Sequence, residues 1–110
     1  PVQERAGSLV LSLAGANDRR AAQGAYAMGF EAFPEPRAFF TVADMNHYDW
    51  CDGASASELA SDGPPARDQR ASRAQALTAV DLALDGVLRD DAGALDALTH
   101  AALPGLQRGP

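Results

Sequence analysis

Asp18 and His47 each follow a short apolar run that ends in a turn. Residues 8–14 run into Gly15-Ala16-Asn17-Asp18, and residues 38–42 run into Ala43-Asp44-Met45-Asn46-His47. A carboxylate beside an imidazole fixes the ring's tautomer and orientation, and it stabilises the imidazolium formed when the ring takes a proton. That is the chemistry of an oriented general base. Asp44, Asp49 and Asp52 are rival acids, all close in sequence to His47. The alternative role of Asp18 is to cap a helix starting near Arg20. Tyr48 and Trp50 are candidates for lining a substrate pocket, with aromatic packing beside His47 as the alternative. Asn46 is suited to bracing its loop through backbone hydrogen bonds. His100 lies near a helix C-terminus, where the helix dipole favours a cation, and reads as structural.

The elements that must position the pair follow from periodicity. Residues 8–14 are apolar at most positions and stop at glycine, the pattern of a buried parallel strand. Ala22, Ala25, Tyr26, Gly29, Phe30 and Phe33 recur at helical spacing over residues 20–33, before Pro34-Glu35-Pro36 ends the run. Residues 38–42 read as a second buried strand, completing a βαβ unit. Residues 43–67 read as a long surface loop, with Pro64-Pro65 the one linker-like step, too short to separate domains. A long helix begins near Asp68, with Leu77, Val80, Leu84, Val87 and Leu88 as its apolar stripe. Arg67, Arg70 and Arg73 read as a solvated helix face. Asp90 or Asp91 caps a last helix, which Pro104-Gly105 stops. The order is β-α-β-loop-α-α, an α/β class. Two strands buried on both faces make a poor sheet, so the parallel strands are expected to join a larger one. Functional groups in such sheets gather past the carboxyl ends of the strands, which is where Asp18 and His47 lie.

The segment Leu9-Val-Leu-Ser-Leu-Ala-Gly-Ala-Asn-Asp18 resembles the α/β-hydrolase strand that ends in a Gly-x-x-Asp turn bearing the triad acid. Ala38-Phe-Phe-Thr-Val-Ala-Asp-Met-Asn-His47-Tyr-Asp-Trp resembles the next strand and its triad-histidine loop. The interval from Asp18 to His47 and the order acid then histidine are similar to that family. Its esterase, lipase and dienelactone-hydrolase members are the most alike. The resemblance covers nearly the whole chain and implies that residues 1–110 are a single C-terminal segment of an α/β-hydrolase domain. It also implies catalytic roles for Asp18 and His47.

The family's nucleophile elbow, Gly-x-Ser-x-Gly between strand and helix, is absent from the sequence. Ser8 and Ser12 fall in a strand, and Ser55, Ser57 and Ser61 fall in a loop. A histidine–carboxylate pair alone cannot run covalent acyl transfer. The expected partner is therefore an N-terminal portion bearing the nucleophile, and the expected substrate a small acyl compound or ester. The expected function is the C-terminal part of a serine hydrolase, enzymatic only with that portion. A non-catalytic interaction module on a partial hydrolase framework is the alternative, and a relative with an aspartate nucleophile is a third reading.

Net charge of -6, with nine basic residues that are all arginine, speaks against a nucleic-acid partner. No apolar run reaches the ~20 residues of a membrane span. No metal site is expected, because the acids around His47 lack the oxygen-ligand pattern of a cation loop. No cofactor is expected either, since neither glycine signature of a nucleotide site is present. Cys51 is the one cysteine, so it has no internal disulfide partner, although a bridge to another chain stays open. The sequence is that of a soluble protein and leaves cytoplasmic and secreted locations equally open.

Overall fold

The computed structural model describes residues 8–20 and 28–109. Aromatic and β-branched residues favour extended backbone, and the run Arg37–Val42 forms strand β2, buried from its second residue onward. Strand β1, Val10–Gly15, pairs with it in parallel, placing Leu11 opposite Ala38 and Leu13 opposite Phe40. Burial of β1 differs from expectation: only Ala14 and Gly15 are fully covered, and the four residues before them are half-buried.

A third strand, β3 (Leu106–Arg108), lies antiparallel on the other side of β2. Sequence reading missed it, taking Pro104-Gly105 only as a helix stop. The two residues do more than stop the helix. Leu106 N–H donates to Leu103 O at 3.1 Å, and Gly105 has a φ of 70°. Proline followed by a glycine with positive φ suits a type II turn, which sends the chain back along the sheet. The sheet order is β1-β2-β3. Among the described residues, the fold is a mixed α/β arrangement around a partly parallel three-stranded sheet.

Both faces of this sheet carry helix. Residues 28–31 are helical, and Phe30 meets Phe39 edge-to-face with ring centroids 5.5 Å apart. The rest of the helix expected over residues 20–33 falls largely outside the described residues. The other face presents Ala38, Phe40 and Val42. Helices α2 (Gln69–Leu88) and α3 (Ala92–His100) pack there through Ala76, Ala79 and Leu98. Asp68 caps α2 and Asp91 caps α3, each accepting from a backbone N–H three residues on.

The long loop is more ordered than its composition suggests. Ser55 and Glu58 form a reciprocal capping box that starts helix α1, Ala56–Ala60. His47–Trp50 forms a 3-10 turn. The buried face of α2 also differs from the expected stripe. Ser72, Ala76 and Ala79 are buried, whereas Leu77, Leu84, Val87 and Leu88 are exposed, Leu88 by 75%. Small residues let the helix lie close on the sheet; Leu82 joins them against the core, while most of the expected stripe stays exposed. Leu84, Val87 and Leu88 instead line a groove of about 390 Å³ with Leu11 of β1 and Leu9 just before it. No described strand pairs with the free side of β1. No helix among the described residues is long and apolar enough to cross a membrane.

Candidate active site

Parallel pairing of β1 and β2 brings the two following turns side by side at one end of the sheet. The first closes with Asp18 N–H donating to Gly15 O at 3.2 Å. The second opens at Asp44, whose φ of 67° is one that aspartate tolerates. The turns are stitched together by Ala16 N–H to Val42 O at 2.9 Å and Asn17 N–H to Met45 O at 2.8 Å.

At the top of this junction, Asp18 Oδ2 lies 3.1 Å from His47 Nδ1. The Asp18 side chain is 4% exposed and that of His47 44%. The other oxygen, Oδ1, accepts from Arg20 N–H at 2.9 Å. Asp18 thus braces its own turn while meeting the imidazole. With the acid accepting at Nδ1, the neutral ring carries its proton there and turns an unprotonated Nε2 outward. An imidazole held this way can accept a proton at Nε2.

The rival acids are engaged elsewhere. Asp49 is 1% exposed. Its Oδ2 accepts from Asn46 N–H and Ala66 N–H, both at 2.8 Å, and its Oδ1 from Gln69 Nε2 at 3.2 Å. Asp44 accepts from Arg67 N–H at 2.9 Å, and Asp52 pairs with Arg73. Arg73 does not belong to a freely solvated face. Its guanidinium also donates to Asp49 O and Cys51 O, tying α2 to the loop after the histidine. Cys51 itself is exposed.

Asn46 braces the histidine loop from both sides. Its Oδ1 accepts from Tyr48 N–H and Asp49 N–H, while Nδ2 donates to Leu59 O at 2.8 Å and Gly63 O at 3.0 Å. Tyr48 stands edge-on to His47 with centroids 5.3 Å apart, and Arg20 lies 5.5 Å over the tyrosine ring. Tyr48 is half-buried and packs on the histidine. Trp50, 38% exposed, closes the 3-10 turn and makes no hydrogen bond or ring contact with the pair.

Residues 61–64, loop or linker by composition, form the third wall of the junction. Asp62 Oδ2 accepts from His47 N–H and Oδ1 from Arg19 N–H, each at 2.7 Å. Pro64 O accepts from Asn17 Nδ2 at 3.0 Å. A Cβ on Gly63 would fall 2.0 Å from Asn17 O, so only glycine allows this approach. Partial desolvation pushes the Asp62 carboxyl up, but the N–H groups of His47, Arg19 and Gly63, with the charge of protonated His47, outweigh it and hold it below the usual range. The Asp62-Gly63 pair is a turn signal in sequence, but nothing there reveals which groups its carboxylate reaches.

A cavity of about 630 Å³ at the opposite end of β2 is lined by Glu35, Arg37, Leu95, Asp96 and His100. His100 Nδ1 lies 3.1 Å from Asp96 on the exposed surface of α3. Among the described residues, no group of three or more His, Cys, Asp or Glu side chains is arranged to hold a metal ion. Comparisons with protein-family models, curated proteins and solved structures find no match to this chain.

Proposed function

We propose that this chain is the C-terminal part of an α/β-hydrolase that cleaves ester or related acyl bonds. In this reading Asp18 holds His47 at Nδ1, and Nε2 takes the proton of a serine supplied by an N-terminal portion, later returning it to the leaving group. The observation that carries the proposal is the 3.1 Å contact between Asp18 and an accessible His47, made where two adjacent parallel strands end. The acid-then-histidine order supports it further. So does the engagement of Asp44, Asp49 and Asp52 in other bonds.

The required partner has a natural place. Leu11 on β1 and Leu9 just before it face a groove shared with Leu84, Val87 and Leu88, beside the side of β1 that no described strand covers. A further strand laid there would extend the sheet and cover apolar surface. The nucleophile-bearing portion of the same hydrolase is the occupant that also completes the chemistry. Tyr48, packed on His47, is proposed to form part of the acyl-substrate wall, with Trp50 at its outer margin.

The test uses the polypeptide extended upstream to include a Gly-x-Ser-x-Gly segment, assayed on a generic activated ester. His47→Ala should abolish hydrolysis, and Asp18→Asn should lower kcat by roughly 10⁴-fold, the scale of losing the orienting acid in a triad. Turnover that survives His47→Ala would overturn the proposal. The same uncovered groove favours the second reading, an interaction module on a partial hydrolase framework. An extended polypeptide that binds its missing portion yet turns over no ester would support that one instead.

A further inference from the structure

The Asp18–His47 contact spans two separate turns, and a hydrogen bond between side chains cannot by itself keep two backbones in register. The bond demands that the main chain at residues 18–19 and at residue 47 be held at a fixed separation. One side chain contacts both. Asp62 places one carboxylate oxygen 2.7 Å from the N–H of Arg19, the residue after the acid, and the other 2.7 Å from the N–H of the histidine itself. Ionised oxygens accepting from backbone N–H groups make short, strong bonds.

We infer that Asp62 is the positioning residue of the Asp18–His47 pair: a single carboxylate clips the backbone on either side of their hydrogen bond. Its importance for catalysis rests on the hydrolase reading, while the clip itself does not.

Asp62 is held in turn from below. Gly63 O accepts from the buried Asn46 side chain, and Gly63 lies against Asn17. The Arg20 guanidinium donates to Ser61 Oγ at 3.0 Å. The clip is therefore anchored to both turns by its neighbours as well as by its own oxygens. Chemistry makes the site demanding. Two N–H donors converge on one side chain, so two acceptor oxygens are needed. Asparagine offers one oxygen and one NH₂ group. It can hold Arg19 or His47, and its NH₂ would oppose the other N–H.

The experiment is NMR on the protein labelled with ¹⁵N-histidine and ¹⁵N-arginine. With two histidines and nine arginines the spectra are sparse enough to assign, even in an oligomer. In the wild type the neutral His47 ring should be mainly the Nδ1–H tautomer. The amides of Arg19 and His47 should also share one acid-side titration, that of Asp62. Asp62→Asn should remove the shared titration and move the ring toward the tautomer mixture seen in Asp18→Asn. Asp62→Glu, which keeps two oxygens, should restore the shared titration. An unchanged tautomer in Asp62→Asn, or two amides titrating independently in the wild type, would overturn the inference. Should Asp62→Asn fail to fold, the wild-type titration still decides between these outcomes. None of these readings requires turnover, so loss of the hydrolase reading through the His47→Ala assay would be seen separately.

Discussion

Two carboxylates meet His47, and they act on different parts of it. Asp18 addresses the ring at Nδ1, and Asp62 addresses the backbone N–H. The carboxyl of Asp62 titrates below the usual aspartate range because it is hydrogen-bonded in its charged form. A carboxyl with a depressed folded-state pKa adds stability that is complete above the unfolded value of ~3.9 and is lost as pH falls through the folded value. The groups facing it are His47 and, through the adjoining turn, Asp18, Arg19 and Arg20. Protonating Asp62 removes the charge that accepts from the N–H groups of Arg19 and His47, and so loosens the hold on both turns. Thermal unfolding followed from pH 6 to pH 3 should show a steeper acid-side loss in wild type than in Asp62→Asn. Parallel curves would show that the carboxylate contributes nothing through its ionisation. At this scale Asp18 and His47 were legible in the sequence because type, order and strand context all pointed to them. Asp62 was not, since a loop aspartate's partners are set by how the loop folds back.

Elements show a similar division between local and long-range signals. Both parallel strands and both long helices were legible from their periods. The expected start of α2 near Asp68 matches its cap, and of the two cap candidates for α3, Asp90 and Asp91, it is Asp91 that caps it. The short helix after Ser55 was missed although its capping box is present in the sequence, because the surrounding Gly, Ser and Asp read as irregular chain. Strand β3 was missed for a different reason. Three residues, two of them exposed, carry no periodic signal, and pairing with β2 decides their conformation. The loop after β2 owes its shape to a buried polar hub in which Asp49 accepts from Asn46 N–H, Ala66 N–H and Gln69. Removing this carboxylate leaves buried donors without acceptors, each costing about 1–3 kcal/mol. Asp49→Ala should therefore destabilise the fold by roughly 3 kcal/mol, lowering Tm by more than 10 °C at ~4–8 °C per kcal/mol. Asp52→Ala removes only an exposed pairing with Arg73 and should change Tm little, at ~0–1 kcal/mol. Equal effects of the two substitutions in thermal unfolding would show that the hub does not organise the loop.

At the scale of the molecule, exposed apolar surface of α2 lies beside the side of β1 that no described strand covers. The expected core stripe of α2 faces outward instead: Leu77 is 55% exposed, Leu84 49% and Leu88 75%. Periodicity identified these residues as apolar-face residues. It could not say that α2 sets its alanines and Leu82 against this sheet and leaves Leu77, Leu84 and Leu88 over. Ala76 and Ala79 permit close helix–sheet contact, whereas Leu84 and Leu88, together with Val87, line the groove beside Leu9 and Leu11. Burying a leucine is worth ~1.5–3 kcal/mol relative to leaving it exposed. Several exposed leucines beside an open strand edge therefore give a strong drive to association. The chain on its own should self-associate in a concentration-dependent way, measurable by sedimentation. Leu84→Gln with Leu88→Gln should weaken that association. Its effect on the fold should be small, since substitutions at exposed positions usually stay within about 0.5 kcal/mol each. On the hydrolase proposal, a nucleophile-bearing portion added covalently upstream should bury the same leucines and leave a monomer in which the double substitution becomes clearly destabilising. This reversal, near-neutral in the isolated chain and costly in the extended one, separates a missing-partner surface from an incidental apolar patch. A chain that stays monomeric across the accessible concentration range, with the double variant neutral in both contexts, would remove the argument for a partner at the β1 edge.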